Sequence, residues 1–257
     1  MTHPADSPVR RRPLAGKVAL VTGGARRVGA VIARALHGAG ASLVLHHHRS
    51  AREAETLVRE LCEARAGSAI GVTCDLLDTA ALGALVARAS AAFGGLDILI
   101  NNASTFYPTP IGQIEETHWD DLIGTNLKAP LFLCQAAYPA LHARQGLILN
   151  LVDIHGMRPL RRYPVYCLAK AGLIMLTKSL ARELGPHVRV NAIAPGPVLW
   201  PDDGVDAALR ERIISRTALK RGGSAEDIAK AALFFACEAP YVTGQILAVD
   251  GGRSIGW

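Results

Sequence analysis

The chain reads as an α/β protein, a doubly wound sheet of about seven parallel strands flanked by helices. Three observations predict this. Short, nearly continuous apolar runs recur along its 257 residues, stretches of helical period alternate with them, and no linker, repeat or composition shift divides the body. Strands apolar on both faces suit a sheet covered on both sides, and parallel pairing needs a crossover such as a helix between strands. A single domain over residues 14–257 follows, preceded by a flexible basic tail over residues 1–13 that carries Arg10, Arg11 and Arg12.

In chain order, strands are expected at Val18–Val21, Leu43–Leu45, Ile70–Thr73, Ile98–Ile100, Leu147–Val152, Val188–Ile193 and Ile246–Val249. Helices are expected at Val28–Ala39, Ala51–Ala64, Ala80–Phe93, Trp119–Ala143, Val165–Leu184 and Ala225–Cys237. Two connections are longer than the usual few residues. One runs from Ser104 to about His118; the other runs from Pro195 to about Val205 and leads into a short helix, Ala207–Ser215. Both leave carboxyl ends of strands, where ligands bind in this architecture, and the second is a candidate lid.

Hydrophobic residues make up 50% of the chain, which supports a packed core and argues against disorder. The net charge of +6 raises the question of nucleic acid, but no nucleic-acid motif accompanies it, and two of the arginine groups fall where a cofactor phosphate would sit. Five scattered cysteines without a C-x-x-C pair read as reduced thiols of a cytoplasmic protein. No secretory signal is expected, and no apolar run approaches the ~20 residues of a membrane span. His46-His47-His48 invites a metal reading, yet it ends a strand, where neighbouring side chains point to opposite faces, so no metal is expected.

After the first strand, Thr22-Gly23-Gly24-Ala25-Arg26-Arg27-Val28-Gly29 opens directly into a helix. Such a turn lets the backbone approach a pyrophosphate, and the helix N-terminus supplies free N–H groups; a plain glycine-rich turn is the alternative. Twenty residues past Gly29, where an NAD site usually has an acid, stand Arg49 and Ser50. A guanidinium and a hydroxyl suit a 2′-phosphate, so NADPH is expected rather than NADH. Asp75 is placed to meet the adenine ring or to act as a helix cap before Leu76. Asn101-Asn102-Ala103 ends the fourth strand, where it can border the cofactor ribose.

Tyr166 and Lys170 lie one helical turn apart, with Asp153 thirteen residues upstream of the tyrosine. An ammonium ion beside a phenol favours phenolate, so the pair is expected to form a proton donor tuned toward neutral pH, as hydride transfer needs.

Thr22–Gly29, Asn101-Asn102-Ala103, Asn126, Tyr166/Lys170, Pro195-Gly196 and Asp250-Gly251-Gly252, in this order, resemble the short-chain dehydrogenase/reductase superfamily of Rossmann-type proteins. The resemblance implies cofactor contacts from Gly23, Arg26, Arg27, Val28, His48, Arg49, Ser50, Asp75, Leu76, Asn102, Ala103, Ser104, Lys170, Pro195, Gly196 and Val198. It also implies a proton relay through Lys170 and a water held by Asn126, and assembly as a homotetramer. Asn126 has a second reading, satisfying backbone groups at a helix irregularity.

The chain departs from most of that superfamily at Arg27, where glycine is usual, and at Asp153, where serine is usual. An ionised aspartate only accepts hydrogen bonds and would repel a developing alkoxide, so the change points away from ketones and toward C=N reduction in a nitrogen heterocycle. The same departures resemble the pteridine reductases, as do Leu45–Ser50, Asn102–Pro110 and Leu151–Asp153. This implies a pterin stacked between nicotinamide and Phe106, contacts from Arg27 and Ser104, and proton delivery by Tyr166 and Asp153. Phe106 has a core-residue reading as the alternative. The resemblance implies reduction of dihydrobiopterin or dihydromonapterin, with dihydrofolate as a further candidate. A carbonyl reductase and a non-catalytic NADPH-binding scaffold are the rivals. The loop Pro197-Val198-Leu199-Trp200-Pro201 lacks the polar residue that the branch carries near Val198, so the pocket for the pterin side chain stays open.

Overall fold

The computed structural model describes residues 12–198 and 206–256. The tail before residue 12, and residues 199–205 of the loop read as a lid, including Trp200, lie outside the described residues.

Seven strands form one all-parallel sheet in the order β3-β2-β1-β4-β5-β6-β7. They are β1 (Val18–Val21), β2 (Ser42–His47), β3 (Ala69–Thr73), β4 (Ile98–Asn101), β5 (Leu147–Leu151), β6 (Arg189–Pro195) and β7 (Ile246–Val249). The predicted strands are all present, with shifts of up to two residues at their ends. β1 and β5 are buried throughout because helices cover both faces, whereas β7 at the sheet edge is partly exposed.

The helices are α1 (Arg27–Gly38), α2 (Ala51–Ala64), α3 (Leu82–Phe93), α4 (Glu116–Ile123), α5 (Ala129–Arg144), α6 (Pro164–Leu184), α7 (Ala207–Ser215) and α8 (Ala225–Cys237). One expectation needs correction. The single helix read over Trp119–Ala143 begins at Glu116 and is interrupted by a π-helical turn, Gly124–Lys128, which contains Asn126. The apolar pattern runs through this turn unbroken, so periodicity did not reveal it.

The core has two large halves. One packs α1, α2 and α8 on the sheet through residues such as Ile32, Leu36, Leu57 and Phe235. The other packs α3, α5 and α6 through Leu82, Leu85, Leu133 and Leu184. The strand order changes direction between β1 and β4, which makes their carboxyl ends the switch point where ligands bind in this architecture. Among the described residues, no helix is long and apolar enough to cross a membrane.

Candidate active site

The glycine-rich turn after β1 is held from two sides. On the β4 side, the Asn102 amide donates to the carbonyls of Thr22 (2.8 Å) and Gly23 (3.1 Å). The Thr22 hydroxyl accepts the N–H groups of Asn102 and Ala103, both at 3.0 Å. The amide nitrogen of Asn102, expected beside the ribose, is therefore committed to the turn. Gly29 cannot carry a side chain, since a Cβ would lie 2.3 Å from the Gly23 carbonyl oxygen and 2.6 Å from the Asn102 amide. Arg27 opens α1 with φ +51°, the left-handed region that glycine favours. An arginine there costs on the order of 1–2 kcal/mol, and the position explains why glycine is usual in the resembling sequences. No acid stands in the first turn of α1, so its N–H groups and positive dipole end meet no carboxylate from that turn.

At the end of β2, Arg49 is exposed and the Ser50 side chain makes no cap bond to α2. His48 lies 3.9 Å from Asp75, and Asp75 accepts the Leu77 N–H at 3.0 Å. The helix-cap reading of Asp75 is therefore corrected: α3 begins only at Leu82, and Asp75 closes a local turn instead. Leu76 is buried and packs with the α3 side of the core. Among the described residues, no three His, Cys, Asp or Glu side chains gather as a metal site.

The other half of the site forms where β5 ends. Asp153 caps a 3₁₀ turn, Ile154–Gly156, by accepting the His155 N–H at 2.8 Å. Its second oxygen accepts the Tyr166 hydroxyl proton, also at 2.8 Å. Lys170 is almost fully buried and donates to the Leu151 carbonyl at 2.9 Å, with its nitrogen 5.7 Å from the Tyr166 ring centre. Asn126 accepts from the Ser104 hydroxyl at 2.5 Å and donates to the carbonyls of Leu122 (2.9 Å) and Thr105 (3.0 Å). The structural reading of Asn126 is the one seen: it satisfies the Leu122 carbonyl at the π-helical turn and ties that turn to the loop after β4. The site's polar groups thus form two hydrogen-bonded pairs, Ser104 with Asn126 and Tyr166 with Asp153.

The electrostatics correct the tuned-donor expectation. Burial and then the Asp153 carboxylate push the Tyr166 phenol well above its ordinary value. Lys170 does not offset them, because its ammonium is directed at Leu151 and is itself destabilised by burial. Spacing along α6 placed the pair on one face, but burial and the acid thirteen residues upstream set the phenol's shift.

Burial lowers the Lys170 ammonium from 10.5 to about 8, with Asp153 opposing part of the shift. Between those values the unfolded chain holds this proton more tightly, so the lysine's unfavourable contribution fades as pH rises from about 8 to 10.5. Urea unfolding of wild type and Lys170→Met should therefore show the wild type gaining relative to the variant across that window. A constant difference would mean that Lys170 holds no desolvated charge.

Phe106 is 47% exposed, which overturns the core reading. Its ring lies parallel to Tyr163, 4.6 Å centre to centre, and meets the edge of Tyr166 at 4.8 Å. Tyr163 was not among the expected residues. Its signal was present, because it stands three residues before Tyr166 at the start of α6, on the same face. At the end of β6, Gly196 is required: a Cβ would lie 2.5 Å from that of Asp250. The Val198 N–H closes onto the Gly196 carbonyl at 2.8 Å and its partly buried side chain packs against the core.

A parallel sheet with an open helix N-terminus at its switch point and a buried Tyr–Lys pair beside it defines an oxidoreductase. The sequence model of the family described as Enoyl-(Acyl carrier protein) reductase matches residues 23–254. The chain belongs to the short-chain dehydrogenase/reductase family. Pteridine reductase 1 of Leishmania tarentolae is 37% identical, over 93% of this chain and 96% of that protein. The 3-oxoacyl-acyl-carrier-protein reductase FabG of Staphylococcus aureus is 35% identical, over 92% and 97%. Among solved structures, a blue fluorescent protein from a metagenomic library in complex with NADPH superposes with a TM-score of 0.88 at 33% identity, over 94% of this chain and 99% of that one. A mutant Serratia marcescens short-chain dehydrogenase/reductase gives 0.89 at 33% identity, with the same coverage.

Proposed function

We propose that this protein is an NADPH-dependent pteridine reductase that converts dihydropterins, dihydrobiopterin or dihydromonapterin, to tetrahydropterins, with dihydrofolate as a further candidate substrate. The observation that carries the reading is the hydrogen bond from the Tyr166 hydroxyl to the Asp153 carboxylate. A phenol whose proton is drawn toward a carboxylate is a poor partner for a developing alkoxide, because the added negative charge is repelled. A ring nitrogen that gains a proton adds no negative charge beside Asp153. Its N–H groups also find an acceptor there.

The donor set at the β1–β2 end fits the cofactor: an α1 N-terminus without acids, and Arg49 and Ser50 where an acid would favour NADH. Arg26, Arg27, Arg49 and Ser50 would hold the phosphates, Lys170 the nicotinamide ribose, and Pro195 and Gly196 would flank the nicotinamide. NADPH bound there would supply the hydride. Tyr166 and Asp153 would deliver the proton, with Lys170 and Asn126 on the path that replaces it. Phe106 offers a half-exposed aromatic face for a flat ring, worth about 0.5–1.5 kcal/mol beyond area burial, and Arg27 and Ser104 would bond its polar edge. The same reading takes residues 14–257 as one domain and the working form as a cytoplasmic homotetramer, in keeping with cysteines that are all free thiols.

The second reading, a 3-oxoacyl or other carbonyl reductase, is favoured by the nearly equal identity to FabG. Purified protein should consume NADPH in step with tetrahydropterin formation from 7,8-dihydrobiopterin or dihydromonapterin, and not with acetoacetyl thioesters. The reverse preference would establish the second reading. Tight NADPH binding without turnover on any of these would instead indicate the scaffold.

A further inference from the structure

The histidine run that ends β2 grips the nucleotide end of the sheet. The His46 Nε2 lies 3.0 Å from the Cys74 carbonyl, which can only accept, so Nε2 carries the proton. That leaves the Nδ1 lone pair free to accept the Gly23 N–H at 3.2 Å. The His46 backbone carbonyl also accepts the Gly24 N–H at 3.0 Å. Opposite, the Asn102 amide donates to the Gly23 carbonyl, so the Gly23 residue is clamped between β2 and β4. Burial lowers the His46 imidazole to about 4, which keeps this lone pair available at neutral pH. Beyond it, Cys74 leads into Asp75, which faces His48.

We infer that His46 is a positioning residue for the nucleotide: Nδ1 fixes the glycine turn after β1 while Nε2–H ties that turn to the end of β3. The inference rests on the reading of this end of the sheet as the cofactor site. It makes one side chain responsible for the relative placement of the phosphate-facing turn and the Asp75 side of the crevice.

Two substitutions separate positioning from packing. In His46→Asn the side-chain oxygen falls near the Nδ1 position and keeps the acceptor for Gly23. In His46→Gln the side-chain nitrogen falls near Nε2, keeps the bond to Cys74 and leaves the Gly23 N–H without its partner. Both lose imidazole packing, so both should melt below wild type. NADPH affinity, measured at equilibrium without substrate, is expected to stay within about fivefold of wild type in the Asn variant and to be at least about fivefold weaker again in the Gln variant. A smaller gap between the variants, or a larger loss in the Asn variant, would overturn the inference. If the Gln variant does not fold, the Asn variant decides alone by the same limit. Failure of the wild type to bind NADPH would instead overturn the cofactor reading, and the inference with it.

Discussion

Asp153→Asn is expected to lower pterin turnover by about 10²–10⁴-fold while NADPH binds as in wild type, the range expected when a positioned proton-transfer group is lost. The substitution keeps size and shape. One oxygen can still cap His155, but the amide nitrogen then faces Tyr166 and offers a donor where the hydroxyl needs an acceptor. The loss of charge also removes one of the influences that hold the Tyr166 phenol high. Cofactor affinity should be spared, since Asp153 makes no bond to the turn after β1 or to the end of β2. Steady-state rates beside equilibrium NADPH titration separate the two quantities. Unchanged turnover would reduce Asp153 to a cap for the 3₁₀ turn.

Arg49→Ala is the second large effect. Arg49 is exposed where β2 hands over to α2, and the adjacent Ser50 hydroxyl is not spent on a helix cap. Hydrogen bonds to a charged group are worth about 1.5–3 kcal/mol, so removing the guanidinium should cut the preference for NADPH over NADH by roughly 10–100-fold. Dissociation constants for both dinucleotides measure this directly. Equal weakening of the two would place Arg49 away from the 2′-phosphate.

Much of the fold was legible because strand and helix periods differ and alternate cleanly from Val18 onward. The π-helical turn at Gly124–Lys128 was legible only through Asn126, read as satisfying backbone groups at a helix irregularity, since its bonds to Leu122 and Thr105 leave no mark on the apolar pattern. The polar groups of the site were legible as residues, and Asp153 meets Tyr166 as Ser104 meets Asn126. The site's electrostatics were not legible, because burial of Tyr166 and the direction taken by Lys170 depend on packing rather than on spacing. Phe106 on Tyr163 and His46 on Gly23 join segments 57 and 23 residues apart, which no local pattern encodes. His46 drew attention as a metal candidate, and its bonds join it to Gly23 of the glycine-rich turn and to Cys74.

The most direct measurement is the ratio of kcat/KM for a dihydropterin to that for an acetoacetyl thioester, on wild-type protein with saturating NADPH. If Asp153 directs the Tyr166 proton toward a ring nitrogen, a ratio above ~10² is expected, equivalent to about 3 kcal/mol of transition-state discrimination. A ratio below one would contradict it and assign the site to ketone reduction.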